Sequence, residues 1–210
     1  MIEYPQKGSE AMRANPAVIK RLSVYLQLLR QLPPETTNIS ATVIAKSIGY
    51  GDVQVRKDLA SVSGEGKPRT GYEVGNLIKS LEEYLGFNYP KKAVIIGAGR
   101  LGTALLEYDG FKSWGLEIAA AFDADESKTD KSKRIYPVSD LKEFCKSGDI
   151  KIGIITVPAS AAQQVCDLIC ETPIKAVWSF APTHLYVPEG VEVQYENMAA
   201  SLANILCSID

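Results

Sequence analysis

Residues 91–102 read KKAVIIGAGRLG. Two lysines lead into an apolar run, residues 93–96, that stops at Gly97; Gly97-x-Gly99-x-x-Gly102 follows, and the helix formers of residues 103–107 take over. Glycines cluster by chance, so the motif alone is weak. Its place, directly after a strand-like run and at the opening of a helix, is what dinucleotide chemistry requires. The first glycine allows a tight turn, the second lets the backbone approach a pyrophosphate, and the third packs helix on strand. The helix N-terminus offers free N–H groups and the positive end of its dipole to the phosphates. Ala98, Arg100 and Leu101 complete the turn. A second apolar run, residues 116–122, is broken only by Glu117 and ends in Asp123. That is where an acid accepts hydrogen bonds from a ribose 2′-OH. A glycine-rich βα turn with a solvent-facing Asp is the alternative. Strand, spacing and acid together favour a dinucleotide, and no arginine adjoins Asp123, which favours NAD(H) over NADP(H).

Downstream the pattern keeps alternating. A polar loop runs from Ala124 through Lys133; residues 141–145 read as helix after Ser139, 152–157 as a buried strand and 159–169 as helix. Residues 177–180 and 191–195 are strand-like. Alternation of this kind implies an α/β fold with a doubly wound, mostly parallel sheet, which binds ligands beyond the carboxyl ends of its strands. Thr156, Val157 and Pro158, with Phe180 and Ala181, therefore fall at the rim, where they would bound a nicotinamide; otherwise each is a proline-stopped strand end. From Met198 through Ile209 there is no charged residue, and Met198, Leu202, Ile205, Leu206 and Ile209 form one helical stripe. A helix apolar nearly all round should be buried, in a subunit interface or against its own domain.

Upstream, Asn15-Pro16 reads as an N-cap with proline at the first helical position, and Val18, Ile19, Leu22, Tyr25, Leu26, Leu29 and Leu32 recur at helical spacing before Pro33-Pro34. Ser40 is expected to cap a helix over 41–48 closed by Gly49, and Asp52 to cap another over 53–61. Two short helices around a Gly49/Gly51 turn make a helix-turn-helix, or an ordinary αα-turn with a solvated face. With Val55 and Leu59 inward, Gln54, Arg56 and Lys57 face out, types suited to base edges and phosphates. Residues 64–71, GEGKPRTG, form a basic glycine-rich loop. Lys67 and Arg69 there suit a wing lying along nucleic acid, or a flexible hairpin tip. Val74, Leu77, Ile78, Leu81, Tyr84 and Leu85 mark a further helix stopped by Gly86, and residues 87–90 form a short linker.

The formal net charge of −2 hides a division. Residues 1–72 hold ten Lys/Arg against six Asp/Glu, and the remainder thirteen against nineteen. Such asymmetry points to a nucleic-acid partner for the first part only. Apolar residues at 46% and charged at 23% describe an ordinary soluble protein. No 18-residue apolar stretch and no apolar leader core are present, so neither a membrane span nor export is expected. Cys145, Cys166, Cys170 and Cys207 lack metal-ligand spacing, and reduced cytoplasmic thiols are the expectation.

Taken together, VIKRLSVYLQLL, QVRKDL, VIIGAGRLGTALLEYDGF, AAFDAD, ITVPASAAQ and FAP resemble, in order and over nearly the whole chain, the Rex family of redox-sensing transcriptional repressors. The resemblance implies a homodimer of N-terminal winged helices and C-terminal Rossmann domains, with a last helix exchanged between subunits. It implies binding to an inverted-repeat operator, released when NADH displaces NAD⁺. Carried over by residue, it implies DNA contacts from Arg56 and Lys57 and a dinucleotide turn at Gly97, Gly99 and Gly102 with Asp123. It also implies domain coupling through Arg21, Tyr108 and residue 197, an acid in the family but Asn197 here, so that a muted response to NADH is expected. Ser61-Val62-Ser63 and Pro68-Arg69 also depart from the family's wing. The implied organisation is a winged-helix domain over 1–86, a Rossmann domain over 87–196 and an interface helix over 197–210.

Two other classes compete. A small NAD-dependent oxidoreductase would need a proton donor near the nicotinamide. His184 is the one histidine, and it reads as a surface loop residue. Tyr108-x-x-x-Lys112 follows the glycine-turn helix, a place that suits coupling better than catalysis. A nucleotide-binding interaction module without DNA binding is opposed by the basic first part.

Overall fold

The first helix, α1 (Pro16–Arg30), starts as its sequence dictates: the Asn15 side chain accepts from the Ala17 N–H at 2.9 Å, and Pro16 needs no donor of its own. The computed structural model describes residues 15–209. It divides between Asn88 and Tyr89 into two compact units.

In the first unit α1 is followed by β1 (Asn38–Ile39), α2 (Ala41–Ile48), α3 (Asp52–Ser63), β2 (Tyr72–Glu73) and α4 (Val74–Leu85). Ser40 caps α2 through Val43 N–H at 3.2 Å, and Gly49 ends it in the left-handed region at φ 71°. The expected cap of α3 is corrected. Gly51 occupies that position and Asp52 is the first helical residue, where its charge meets the helix dipole and pairs with Arg56. Leu22, Tyr25, Leu26, Ile44, Val55, Leu59 and Leu81 are fully buried and form the core. Tyr84 of the expected α4 stripe lies outside it, 45% exposed. β1 and β2 pair antiparallel, Ile39 against Tyr72, at the base of the 64–71 loop. Gly71 is required there, because a Cβ would collide with the Ile39 carbonyl.

The second unit is a single six-stranded sheet: β3 (Lys91–Ile96), β4 (Leu116–Asp123), β5 (Ile135–Pro137), β6 (Ile150–Ile155), β7 (Ala176–Ser179) and β8 (Glu192–Tyr195). All five neighbouring pairs are parallel, in the order β5-β4-β3-β6-β7-β8. Within this unit that is the 3-2-1-4-5-6 order of a Rossmann fold. The α/β, doubly wound expectation holds; β5 was not expected, being three residues at a sheet edge and containing Pro137. The helices are α5 (Arg100–Glu107), α6 (Leu141–Ser147), α7 (Ala159–Cys170) and α8 (Met198–Leu206). One core gathers Val94, Ile96, Phe122, Leu141, Ile155 and Ile169 on one face of the sheet, and a second gathers Ala93, Ile95, Leu106, Ala121 and Ile154 on the other. Helix α8 does not pack back on this unit: Met198, Leu202, Ile205, Leu206 and Ile209 are all more than half exposed. Among the described residues no helix is long and apolar enough to cross a membrane.

Candidate dinucleotide site and nucleic-acid face

The order of strands reverses between β3 and β6, so the ends of these two strands open a crevice on the carboxyl side of the sheet. Gly97 turns the chain there, its N–H donating to the Phe122 carbonyl at 2.7 Å. Its φ of 111° excludes most side chains, and a Cβ would stand 2.9 Å from Thr156 Oγ1 and from Val157 Cγ1. At Gly102 a Cβ would run into the Gly97 carbonyl oxygen, so helix α5 approaches β3 only because that position is bare. Gly99 differs: a Cβ there would meet no atom of the described residues within 4 Å. Among the described residues nothing demands that glycine, whereas a ligand lying over the turn would. No side chain caps α5, whose first N–H groups are available to an anion.

Asp123, at the end of β4, is 9% exposed and faces this turn. Its Oδ2 accepts the Ala98 N–H at 2.7 Å and its Oδ1 the Asp125 N–H at 2.9 Å. An apolar cavity of about 420 Å³ adjoins it, lined by Gly97, Val138, Val157, Val165 and Leu168. The shape and chemistry suit an adenosine: an acceptor for ribose hydroxyls beside an apolar slot. Of the other rim residues, Thr156 spends its hydroxyl on the Gly97 carbonyl at 2.7 Å. Phe180 packs on Trp178 and, with Ala181, Pro182, His184 and Tyr195, lines a second cavity of about 690 Å³. Arg100, Leu101 and Pro158 are exposed. Sequence reasoning missed Lys128, whose Nζ lies 3.3 and 3.2 Å from the two Asp123 oxygens. Its one signal is a lysine in the loop five residues after the acid.

On α3, Gln54, Arg56 and Lys57 are exposed while Val55 and Leu59 are fully buried. The array is tied down from within. Gln54 Nε2 donates to Asp58 Oδ1 at 2.7 Å, and Arg56 Nη2 reaches Asp52 at 3.3 Å. Lys67 and Arg69 are exposed on the 64–71 loop, where Lys67 and Gly71 exchange hydrogen bonds at 2.9 and 2.8 Å. Thr70 N–H donates to the Lys67 carbonyl at 3.2 Å, with Pro68 second in the turn and Arg69 third at φ 66°. That is the signature of a type II turn, with arginine in the place that glycine usually fills.

The three residues to which the resemblance assigns domain coupling each hold a contact within their own unit. Arg21 gives Nε and Nη2 to Asp58 at 2.6 and 2.9 Å, inside the first unit, and Tyr25 adds its hydroxyl at 2.9 Å. Burial pushes the Asp58 carboxyl up, but hydrogen bonds from Arg21, Tyr25 and Gln54, with the Arg21 charge, outweigh it and hold the group below its usual value. Asn197 caps α8, accepting the Ala200 N–H at 2.9 Å. Tyr108 is exposed, edge-on to Phe111, while Lys112 pairs with Asp109 at 2.9 Å. His184 stacks on Tyr195. Burial pushes the Cys145 thiol up to about 11 and that of Cys166 to about 12. Among the described residues no group of three or more His, Cys, Asp or Glu could hold a metal.

Comparison with known proteins adds to this geometry. The family described as "CoA binding domain" matches residues 88–183, and that described as "Putative DNA-binding protein N-terminus" matches residues 16–60. The redox-sensing transcriptional repressor Rex of Treponema denticola is 42% identical over 88% of this chain and 90% of its own length. That of Porphyromonas gingivalis is 40% identical over 88% and 87%. A crystal structure of RSP in complex with β-NAD⁺ and operator DNA superimposes with a TM-score of 0.86 at 30% identity, covering 93% of this chain and 92% of its own. The complex of RSP with β-NADH gives 0.83 at 29%, covering 94% of each.

Proposed function

The chain belongs to the Rex family of redox-sensing transcriptional repressors, and on that premise we propose how its own residues carry the function. The protein is a DNA-binding repressor, not an enzyme, and responds to the balance of NADH and NAD⁺. Helix α3 presents Arg56, Lys57 and Gln54 to the major groove, and the 64–71 loop sets Lys67 and Arg69 along the adjacent backbone. Gly97, Ala98, Gly99, Arg100, Leu101 and Gly102 receive the pyrophosphate, and Asp123 the adenosine ribose. Thr156, Val157, Pro158, Phe180 and Ala181 bound the nicotinamide end. When bound, the cofactor supplies a ring that is positively charged when oxidised and neutral when reduced. The chain's part is to bind the two forms with different affinity in its DNA-competent and released arrangements, since a ligand shifts an equilibrium only by that difference. The second copy needed for an inverted repeat joins through the uncharged α8, and the protein acts in the cytoplasm.

The observation that carries the cofactor reading is Gly99, bare although no atom of the described residues would oppose a side chain, beside an acid held by the Ala98 N–H. The test is selection of duplex DNA from a random pool, then operator affinity with NAD⁺ and with NADH. Tighter binding with NAD⁺ is expected; equal affinity with both would remove the redox-sensing assignment.

A muted response to NADH belongs to the same proposal, since Asn197 brings no charge to a relay with Arg21 and Tyr108. Within their own units Arg21 is bonded to Asp58 and Asn197 caps α8.

A further inference from the structure

Lys128 is not part of the glycine motif, and its contact with Asp123 bears on which dinucleotide the site accepts. We propose that Lys128 is a specificity-determining residue: a resident counter-charge on Asp123 that weakens the rejection of a 2′-phosphate and so admits NADP(H) as a secondary ligand. The proposal rests on reading Gly97 to Asp123 as a dinucleotide site.

An ionised carboxylate offers about four lone-pair positions. On Asp123 the backbone fills one on each oxygen, through Ala98 and Asp125. Lys128 lies across the remaining edge, within 3.3 Å of both oxygens. That is the edge a ribose diol must use, so the ammonium stands where the ribose hydroxyls go and has to yield to them. It can yield easily. Lys128 ends a short 3-10 turn, Glu126–Lys128, its side chain is 44% exposed, and the four-carbon stem swings without backbone movement.

With a plain ribose, Lys128 moves aside and Asp123 accepts the hydroxyls. With a 2′-phosphate, a bare Asp123 would face a like charge in a poorly solvated site and repel it. Here the ammonium is already at that spot and can transfer from carboxylate to phosphate. The other ion-pair partner of Lys128 among the described residues is also acidic. Asp125 Oδ2 lies 3.8 Å from the Lys128 ammonium, and Asp125 Oδ1 is turned to the Ser127 N–H and hydroxyl. Lys128 is therefore the cation placed to offset a phosphate at Asp123.

The experiment is titration of the full-length protein with NADH and NADPH, followed by fluorescence, for the native chain, Lys128→Met, Lys128→Arg, Asp123→Asn and Asp123→Asn/Lys128→Met. Lys128→Met is expected to weaken NADPH about fivefold, the upper end for a half-exposed ion pair, while NADH tightens slightly because no ammonium has to leave the ribose edge. Lys128→Arg should keep the native NADPH-to-NADH ratio. Asp123→Asn should strengthen NADPH, and the double variant should lose that gain. NADPH binding by the native chain should weaken with salt more steeply than by Lys128→Met. An unchanged ratio in Lys128→Met, or equal NADPH affinity of Asp123→Asn with and without Lys128, overturns the role of Lys128 while NADH binding keeps the site. Failure of the native chain to bind either cofactor removes the dinucleotide reading and this inference together.

Discussion

Asp58 is 4% exposed yet ionised, because Arg21, Tyr25 and Gln54 together supply the hydrogen bonds that water would otherwise give. Removing one partner of a buried pair leaves the other uncompensated, so Arg21→Met should destabilise the protein by about 3 kcal/mol in denaturant unfolding. A loss within experimental error would mean that Tyr25 and Gln54 alone satisfy the carboxylate. The sign of the pH effect follows from the depressed Asp58 value. The pair's contribution is complete above about pH 4, where the unfolded carboxyl is ionised, and is lost as pH falls through the lower folded value. Asn197 carries the prediction that the family resemblance suggests. Aspartate caps helices about as well as asparagine. Asn197→Asp should therefore leave stability essentially unchanged while enlarging the ratio of operator affinities with NADH and NAD⁺. An unchanged ratio in that variant would remove residue 197 from the coupling relay.

At the scale of elements, helix α3 serves two ends at once: Val55, Asp58 and Leu59 bind it to the domain, and the positions between them carry the nucleic-acid chemistry. Arg56 and Lys57 are adjacent and point apart on a helix. Arg56→Ala is expected to relax base preference by about 1–3 kcal/mol at one position. Lys57→Ala should weaken all duplexes alike and lower the salt slope by about one. Operator affinities across single-base variants and salt concentrations separate the two, and unchanged affinity in both would remove α3 as the recognition helix. In the loop, Arg69 holds a left-handed conformation that costs a non-glycine residue about 1 kcal/mol. Arg69→Gly relieves that strain and removes a charge. It should raise thermal stability slightly while weakening operator binding; a variant that binds DNA as tightly as the native chain would leave the strain without a purpose. The pattern of apolar residues revealed the helices and the longer strands here, but not β1, β2 or β5. It did not reveal the Lys67-Pro68-Arg69-Thr70 turn, whose hydrogen bond depends on Arg69 accepting a conformation that its residue type disfavours.

At the scale of the whole molecule, α8 presents Met198, Leu202, Ile205, Leu206 and Ile209 with no partner surface in its own unit. A stripe of this kind is stable when it is covered. Leu202 is 55% exposed in the single chain, so Leu202→Glu should leave the folded subunit intact. Burying the new charge between subunits would cost several kcal/mol, and the dimer should dissociate. Light scattering reads the mass: a native dimer and a monomeric variant are expected, and a variant that remains dimeric would move the interface away from α8. Loss of operator affinity should accompany dissociation, because two half-sites then bind independently.

What the sequence determined by itself was whatever neighbours along the chain decide. A run of apolar residues ended by Gly97, a bare Gly102 one helical turn on and an acid at the end of the next run specify the βα turn, since each requirement lies within a few residues of its cause. Asn15, Ser40, Gly49 and Gly86 likewise announce where helices begin and end. Tertiary structure alone decided the contacts that span the chain or break the period. Arg21 meets Asp58 thirty-seven residues away, a pairing that no local pattern encodes, because it depends on how α1 crosses α3. β5 is too short and too proline-bearing to declare itself, and exists because β4 offers it an edge. Lys128 reaches Asp123 only because the loop after β4 folds back over the acid, and the loop's composition reads simply as polar. Burial makes periodicity legible, since one face of each element must be apolar. The side-chain pairs that tune this molecule are set by where those faces finally meet.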